Sequence, residues 1–372
     1  MTVPIAATSF HGSYAPDDVT FLLQPLSAQH THTVDDLLEK ERLIQSGERH
    51  YSEMITPEQP PTAAYLALFH AAVEAYTQRM ARDLMHLARR IRAERPGPLT
   101  LVSLARAGTP IGILLRRVLR EAFAINVSHY CISIIRDRGL DTHALQHILA
   151  SHSPASLAFV DGWTAKGTIL GELQRRLRAF EASEGVHLPA ELFVLSDLAG
   201  VAQACGSTQD YLIPSALLNA SVSGLVSRSI LNEHVGASQF HGCLFYADWQ
   251  AHDQSRWFIE QVSAALRRHG PAWSCEPLPV IDRGAAALRA RELMAALAHR
   301  HAGLDPQLVK PGLGEATRAL LRRVPRLLIL RDPASVEVRH LVQLATERGV
   351  PIEIDPSLAL HAVAIIRSLS DG

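Results

Sequence analysis

The stretch "SLAFVDGWTAKGTILGEL", residues 156–173, combines the patterns of a strand, a loop and a helix. An apolar run ends at Asp161, a short loop of small and polar residues follows, and an amphipathic segment begins near Thr168. Backbone N–H groups at the start of a helix bind anions, and small residues let a ligand approach the backbone closely. The stretch therefore predicts a phosphate site at the end of a buried strand, to which Lys166 adds a positive charge.

The same alternation of strand and helix extends to both sides of this stretch. Strand-like apolar runs occupy residues 99–105, 127–135, 156–161 and 190–197, with helical patterns between them. Short strands that alternate with helices predict an α/β fold with a parallel, doubly wound sheet. Ligands of such sheets bind at the carboxyl ends of the strands. We therefore expect three loops to meet at one edge of the sheet: residues 105–109, 136–139 and 161–168.

Cationic side chains mark all three of these loops. Arg106 precedes a small Ala–Gly pair, and Arg136 and Arg138 leave the next strand together. A guanidinium group binds phosphate oxygens through two parallel hydrogen bonds. Carboxylates such as that of Asp161 suit sugar hydroxyls or a hydrated Mg²⁺ ion. The three loops together predict a site for a multiply phosphorylated sugar.

The totals of the chain indicate a globular protein of two domains. It has 372 residues, 47% of them hydrophobic and 20% charged, and a net charge of −1, which gives no support for broad nucleic-acid binding. We predict a first domain at residues 1–270, a linker rich in Pro and Gly at 271–279, and a small α/β domain at 280–372. The absence of long apolar runs, of a signal-peptide pattern and of a CxxC pair predicts a cytoplasmic protein without a membrane segment.

The chain resembles the phosphoribosyltransferase-like proteins encoded near bacterial tellurite-resistance stress operons. The resemblance covers roughly residues 10–260 and is carried by "LVSLARAGTPIGILLRR", "HYCISIIRDRGLD", "FVDGWTAKGTI", "LNASVSGLVSRSIL" and "FHGCLFY". It implies the type I phosphoribosyltransferase fold. It also implies a Mg²⁺-dependent transfer from phosphoribosyl pyrophosphate to a nucleobase-like acceptor, in a stress-response context.

This resemblance also implies roles for individual residues. Residues 161–168 would hold the ribose 5-phosphate and residues 105–109 the pyrophosphate. The implied catalytic residues are Asp161, which would also hold Mg²⁺, Arg106, Arg136 and Lys166. The other implied contacts to phosphoribosyl pyrophosphate are Ala105, Ala107, Gly108, Thr109, Arg138, Gly162, Trp163, Thr164, Ala165, Gly167 and Thr168. The implied acceptor pocket consists of Arg228, His241 and Tyr246.

The C-terminal unit resembles the Pelota-type RNA-binding domains of the L7Ae-like group. The resemblance is carried by "KPGLGEATRALL", a glycine turn that enters a helix. It implies RNA contacts by Lys310, Gly312, Glu315, Arg318 and Arg322. The expected partners are therefore phosphoribosyl pyrophosphate, a base-like small molecule and RNA, and the sequence is compatible with a homo-oligomer.

Two alternatives to a transferase remain open at this point. Most type I enzymes carry two adjacent acids before the phosphate loop, whereas Gly162 follows Asp161 here, which favours a non-catalytic sensor of phosphoribosyl compounds that also binds RNA. The other alternative is a cysteine protease, because members of the family are also labelled StiP cysteine proteases. His129 and Cys131 lie two apart on a predicted strand and so share one of its faces. A catalytic pair also requires hydrogen-bond contact, and a strand cysteine is more often a small core residue.

Overall fold

Two α/β units make up the chain, described by a computed structural model over residues 10–301 and 303–368. The strands of the first unit are β1 (Thr20–Leu22), β2 (Gln24–Pro25), β3 (His32–Thr33), β4 (Met54–Ile55), β5 (Leu99–Leu104), β6 (Val127–Ile132), β7 (Ile134–Ile135), β8 (Gly139–Leu140), β9 (Leu157–Thr164), β10 (Leu192–Asp197), β11 (Ala204–Ser207) and β12 (Gly242–Cys243). Its helices are α1 (Leu37–Gln45), α2 (Ala63–Glu94), α3 (Gly108–Phe123), α4 (Thr142–Leu149), α5 (Thr168–Glu184) and α6 (Ser255–Cys275).

The central sheet of the first unit has six parallel strands in the order β1-β6-β5-β9-β10-β11. Every residue of β5, β9 and β10 is buried, because helices cover both faces of the sheet. Alternate residues of β5 point to opposite faces: Leu101 packs in the core with α2, α3 and α6, and Val102 in the core with α4 and α5. The predicted parallel, doubly wound sheet is confirmed.

The second unit is a four-stranded mixed sheet with helices on both faces. Its elements are α7 (Arg283–Arg300), β13 (Val309–Pro311), α8 (Leu313–Arg322), β14 (Pro325–Leu330), α9 (Arg339–Glu347), β15 (Ile352–Ile354) and β16 (Ala362–Ile366), and its strand order is β13-β16-β14-β15. Helix α7 packs on one face through Leu293 and Leu297, while α8 and α9 pack on the other. None of the described helices is both long and apolar enough to span a membrane.

Local contacts decide the last strand and the limits of two helices. The apolar run near the end of the second unit is strand β16, which is fully buried because it pairs with β13 on one side and β14 on the other. The linker expected at 271–279 overlaps helix α6, which continues through Pro271 to Cys275. Helix α1 begins at Leu37, and Asp36 caps it because its carboxylate accepts the Leu38 amide at 2.8 Å. The domain limits themselves stay a prediction.

Candidate functional site at the strand ends

The loops after β5 and β9 meet where the strand order reverses, the usual position of a ligand crevice in such sheets. Their contact depends on glycine. A Cβ atom on Gly108 would lie 2.4 Å from the Val160 carbonyl oxygen, and one on Gly162 would lie 3.1 Å from the Ala107 carbonyl oxygen. Any larger side chain at Gly108 would push the loops apart. The expected convergence of residues 105–109 and 161–168 is confirmed.

Helix α8 of the C-terminal unit covers this crevice. Trp163 donates its indole N–H to Glu315 Oε1 at 3.2 Å, and the Arg318 guanidinium lies 4.7 Å from the centre of the Trp163 ring. A Cβ atom on Gly314 would lie only 2.5 Å from the same ring. Trp163 is therefore the anchor of an interface between the two units, and the absence of a side chain at Gly314 permits the close approach.

Lys166, in the same loop as Trp163, also contacts the C-terminal unit. Lys166 Nζ donates to the carbonyl oxygens of Pro306 and Val309, both at 2.8 Å. Burial lowers the pKa of Lys166 from its ordinary value. The donor predicted for a phosphate group is thus committed to the C-terminal unit in this structure, and its role toward phosphate stays a prediction.

A glycine-to-alanine pair tests the contact between α8 and Trp163. Gly314→Ala is expected to reduce the free energy of unfolding by about 1–3 kcal/mol, because the added Cβ overpacks the interface. Gly171→Ala is the matched control, since Gly171 lies in helix α5 with open space around its Cβ position. That control should stabilise by up to about 1 kcal/mol. Urea unfolding of both variants measures the difference, and equal effects would contradict this account of the interface.

Asp161 is a buried carboxylate at the floor of the crevice. Its Oδ1 accepts the Gly162 amide at 2.7 Å. Burial raises the pKa of Asp161 to about 6, although Arg318 opposes the shift. Mg²⁺ at Asp161 stays a prediction. Within residues 10–301 and 303–368, the group whose donor atoms lie close enough together for a metal ion is a different one, consisting of His32, Glu233 and His234.

The remaining loop residues have structural partners. Thr164 Oγ1 accepts the Gly167 amide at 3.1 Å, which closes the turn into α5 at Thr168. Ala165 is buried, and the peptide bond between Ala105 and Arg106 is cis. Their predicted contacts to phosphoribosyl pyrophosphate stay untested predictions.

Residues 51–58 form hydrogen bonds with all four arginines that the sequence analysis assigned to the phosphate loops and the acceptor pocket. The donor–acceptor pairs are Arg106 with Glu58, Arg138 with Glu53, the Arg136 amide with the Tyr51 hydroxyl, and Arg228 with the carbonyl oxygens of Tyr51 and Met54. Sequence reasoning missed this segment. The sequence "YSEMITPEQP" lacks the apolar periodicity of a strand or a helix. Its two glutamates are the one signal that could have indicated arginine partners.

The ion pair of Arg106 with Glu58 is the most enclosed of these contacts. Arg106 Nη2 lies 2.6 Å from Glu58 Oε1, and the side chains are 4% and 14% exposed. Arg106 Nη1 also donates to the Val226 carbonyl at 2.9 Å, and Glu58 Oε2 accepts the Ala220 amide at 3.0 Å. Both Nη atoms of Arg106 therefore have protein partners in this structure.

The three residues predicted for an acceptor pocket each have different hydrogen-bond or stacking partners. His241 Nδ1 is 2.8 Å from Ser133 Oγ, and its backbone amide donates to Asp141 Oδ2 at 2.6 Å. Burial lowers the pKa of His241. Tyr246 stacks on Trp249 with ring centres 4.3 Å apart. Only Arg228 lines a large cavity, so an acceptor role for the other two stays a prediction.

The residues named for RNA face the first unit. Arg322 donates to Asn219 Oδ1 at 2.7 Å, and Arg318 lies over Trp163. Lys310 Nζ donates to the Gln307 carbonyl at 2.7 Å, and Gly312 forms the turn into α8 with φ +82°. RNA contacts by these residues therefore stay a prediction. They would require the C-terminal unit to separate from the first unit at this face.

Cys131 and His129 share a face of β6 but do not bond to each other. The Cys131 thiol lies 3.2 Å from Thr109 Oγ1, in the first turn of α3. His129 Nε2 lies 2.6 Å from Ser103 Oγ, and its Nδ1 lies 2.8 Å from the Asp18 carbonyl oxygen. Burial raises the pKa of the Cys131 thiol to about 12 and lowers the pKa of His129 to about 4. Both groups are neutral near pH 7.

The two parts of the chain match two different family models. Residues 12–263 match a family model described as "Tellurite-like stress resistance cysteine protease StiP". Residues 288–368 match a model of the PELOTA RNA-binding domain. A curated relative from Acinetobacter baylyi, named "Cysteine protease StiP", is 39% identical over 379 residues, which cover 99% of this chain and 97% of that protein.

Similarity to solved structures is weak. The hypoxanthine phosphoribosyltransferase of Trypanosoma cruzi is 19% identical over 35% of this chain and 77% of that chain, with a TM-score of 0.27. A structure of sphingosine-1-phosphate lyase from Burkholderia pseudomallei is 14% identical over 84% of this chain and 77% of that chain, with a TM-score of 0.21. Scores this low carry no argument about fold or function.

Proposed function

The chain belongs to the StiP family of tellurite-like stress resistance cysteine proteases, and from this premise we propose that it is a peptidase whose nucleophile is Cys131. The resemblance to this family and to a C-terminal Pelota domain is confirmed. The expectation of a phosphoribosyltransferase is wrong, because the family model and the full-length relative both name a cysteine protease. Phosphoribosyl pyrophosphate, a base acceptor and the associated Mg²⁺ lose their support with it.

The observation that supports Cys131 is that its thiol lies beside Thr109, in the first turn of helix α3. The partial positive charge at the start of a helix favours a thiolate, although in the described conformation burial outweighs it and raises the pKa of the thiol to about 12. Cys275 is the last residue of α6, where the helix dipole has the opposite sign. Cys205 and Cys243 are buried on the short strands β11 and β12. Of the four cysteines, Cys131 also has a histidine on the same strand face.

The chemistry requires a rearrangement of this pair. The His129 imidazole would accept the proton of the Cys131 thiol, and the thiolate would attack a peptide carbonyl carbon to form a thioester. The amine leaves with the proton of the imidazolium, and water then hydrolyses the thioester. In the described conformation Ser103 holds His129 Nε2 and the thiol is buried. On this proposal the described conformation is a resting state, and catalysis requires exposure of Cys131.

Hydrolysis of fluorescently labelled casein by the full chain tests this proposal. Cys131→Ala is expected to lower the rate at least about a thousandfold, as loss of a nucleophile does in other proteases. The matched control is Cys243→Ala, a second buried cysteine, which should keep the rate. Thermal melting confirms that both variants fold. Full activity of Cys131→Ala, or loss in Cys243→Ala alone, would overturn the assignment.

As a second function, we propose that the C-terminal unit binds RNA. The support is the match of residues 288–368 to an RNA-binding domain model. Charge reversal at Arg318 and Arg322 is expected to abolish a gel shift with a structured RNA. Because α8 covers Trp163, Gly314→Ala should strengthen the shift by loosening the interface. A shift that is unchanged by the charge reversals would place the RNA surface elsewhere on the unit.

We also propose that the first unit has the type I phosphoribosyltransferase fold without its activity. The support is the parallel order β6-β5-β9-β10-β11, with loops converging between β5 and β9. One fold commonly hosts unrelated functions, so a shared fold would not imply phosphoribosyl transfer.

A further inference from the structure

A cavity of about 810 Å³ lies beside the crevice, between the two units. Its walls come from helix α1, from residues 51–65, and from helices α8 and α9 of the C-terminal unit. The loops 105–109 and 161–168 do not line it. A volume of this size accommodates a ligand as large as a nucleotide.

The wall of the cavity carries an excess of positive charge. Its cationic side chains are Lys40, Arg136, Arg228, Arg322, Arg323 and Arg348, and its carboxylates are Asp35, Glu58 and Glu347. Three of these groups already have ionic partners of their own: Glu58 pairs with Arg106, Arg323 with Glu41, and Arg136 with Asp137. The remaining wall therefore attracts anions.

Three cations of this wall have only neutral hydrogen-bond partners. Lys40 Nζ donates to Thr56 Oγ1 at 2.8 Å, and Arg322 donates to the Asn219 side-chain oxygen at 2.7 Å. Arg228 donates to backbone carbonyls, that of Tyr51 at 2.6 Å. Across residues 10–301 and 303–368, no carboxylate lies within ion-pair distance of any of the three. Glu58 attracts Arg228 and Arg322 at longer range but is already paired with Arg106, so the three cations keep a net positive charge that an anion would balance.

The arrangement is unfavourable without such an anion. Burial and the neighbouring Arg228 lower the pKa of Lys40 to about 7. Burial and the nearby Arg106 lower the pKa of Arg322 well below its ordinary value, and the same causes act on Arg228. Partly buried cations that repel one another cost stability, so a fold that keeps three together is organised for a bound counter-charge.

Another part of the wall is apolar and partly aromatic. It includes Ile44, Pro57, Pro60, Pro61, Tyr65, Leu321 and Leu344. Flat apolar groups such as nucleobases pack on tyrosine rings, whereas free phosphate or a phosphosugar would leave this surface unused. The ligand that fits both parts has a multiply charged end and a flat apolar end.

We propose that this cavity binds a nucleoside phosphate, with its phosphates at Lys40, Arg228 and Arg322 and its base on the apolar wall near Tyr65. Guanidinium groups hold phosphate oxygens bidentately, and the lysine adds a point charge. Lys40 and Arg228 belong to the first unit and Arg322 to the second, so the bound phosphates join the two units. Ligand binding therefore stabilises the docked arrangement.

Calorimetric titration of the full chain with ADP, with adenosine and with a short single-stranded RNA tests the proposal. ADP is expected to bind and to raise the melting temperature, while adenosine binds at least about tenfold more weakly because it lacks the phosphates. Lys40→Met and Arg322→Gln should each weaken ADP binding at least about tenfold. Without ligand, Lys40→Met should melt at the same temperature or higher, because it removes a buried charge. The matched control is Arg267→Gln, an exposed arginine paired with Glu260, which should change nothing.

Three outcomes would overturn the proposal. The first is no binding of ADP by the wild-type chain. The second is undiminished ADP affinity in folded Lys40→Met and Arg322→Gln proteins. The third is binding of the RNA with no binding of ADP, which would assign these cations to the RNA surface of the C-terminal unit. Both variants lie away from Cys131, so a failure of the peptidase assignment leaves this test unaffected.

Discussion

Glu58→Gln is expected to destabilise the fold by about 3–5 kcal/mol, because it leaves a buried guanidinium without an anion. The Arg106 side chain is 4% exposed and has Glu58 as its ionic partner. Burial alone would raise the pKa of Glu58, yet Arg106 and Arg322 bring it below its ordinary value. The carboxylate is thus kept charged between the two arginines. Glutamine also keeps a single acceptor oxygen, so it cannot accept from both Arg106 and the Ala220 amide as Glu58 does.

Urea unfolding at pH 7 measures this effect. The matched control is Glu39→Gln, which removes an exposed glutamate paired with Arg42 and should leave stability nearly unchanged. A second variant, Glu58→Met with Arg106→Met, removes both charges and should recover part of the loss. A loss below about 1 kcal/mol in Glu58→Gln would mean that water reaches Arg106 and that the pair is not buried.

Acid is expected to destabilise both units through one buried histidine in each. Burial lowers the pKa of His129 to about 4 and that of His340 to about 3. His129 lies against Ser103 in the first unit, and His340 Nε2 lies 2.7 Å from Thr317 Oγ1 in the second. Neither site holds a carboxylate against the ring that would stabilise an imidazolium, as far as the described residues show.

The sign follows from proton binding in the two states. An unfolded histidine becomes protonated below about pH 6.5, while these two stay neutral in the fold until about pH 4 and about pH 3. Between those values the unfolded state binds more protons, so stability falls as the pH falls. Each histidine can contribute a loss of about 3–5 kcal/mol by the time its folded pKa is reached.

The measurement is the free energy of unfolding from pH 7 to pH 5, above the range in which ordinary carboxylates titrate. Wild type should lose stability across this window, and His340→Gln should show a shallower slope because one titrating group is gone. His187→Gln replaces an exposed histidine and serves as the control. An identical slope in His340→Gln and wild type would show that His340 is protonated in the fold.

The sequence predicted the crevice at the strand ends but not that helix α8 covers it. The converging loops 105–109 and 161–168 were predictable because parallel strands end at one edge of the sheet. That helix α8 fills the crevice was not, because Gly314 and Trp163 are 151 positions apart and neither belongs to a local pattern. Lys166 and Trp163 looked like ligand contacts because only their own loop was visible.

The partners of the arginines were equally hidden. Arg106 and Arg138 were assigned to phosphate because each lies in a loop typical of such sites, and Arg228 was assigned to an acceptor pocket by family resemblance. Glu53 and Glu58 bind two of them in the structure, and they come from an irregular segment with no periodicity. A buried ion pair depends on which distant segments meet, and sequence spacing contains no record of that.

The sequence by itself determined the parallel sheet, the helices that cover it and the family of the chain, because these depend on local apolar periodicity and on contiguous motifs. The tertiary structure alone decided which charges are paired. It placed Glu58 beside Arg106, α8 over Trp163, and Lys40, Arg228 and Arg322 around one cavity. The reason is physical: backbone propensity acts over a few residues, whereas the pairing of buried charges depends on the three-dimensional contact of segments far apart in the chain.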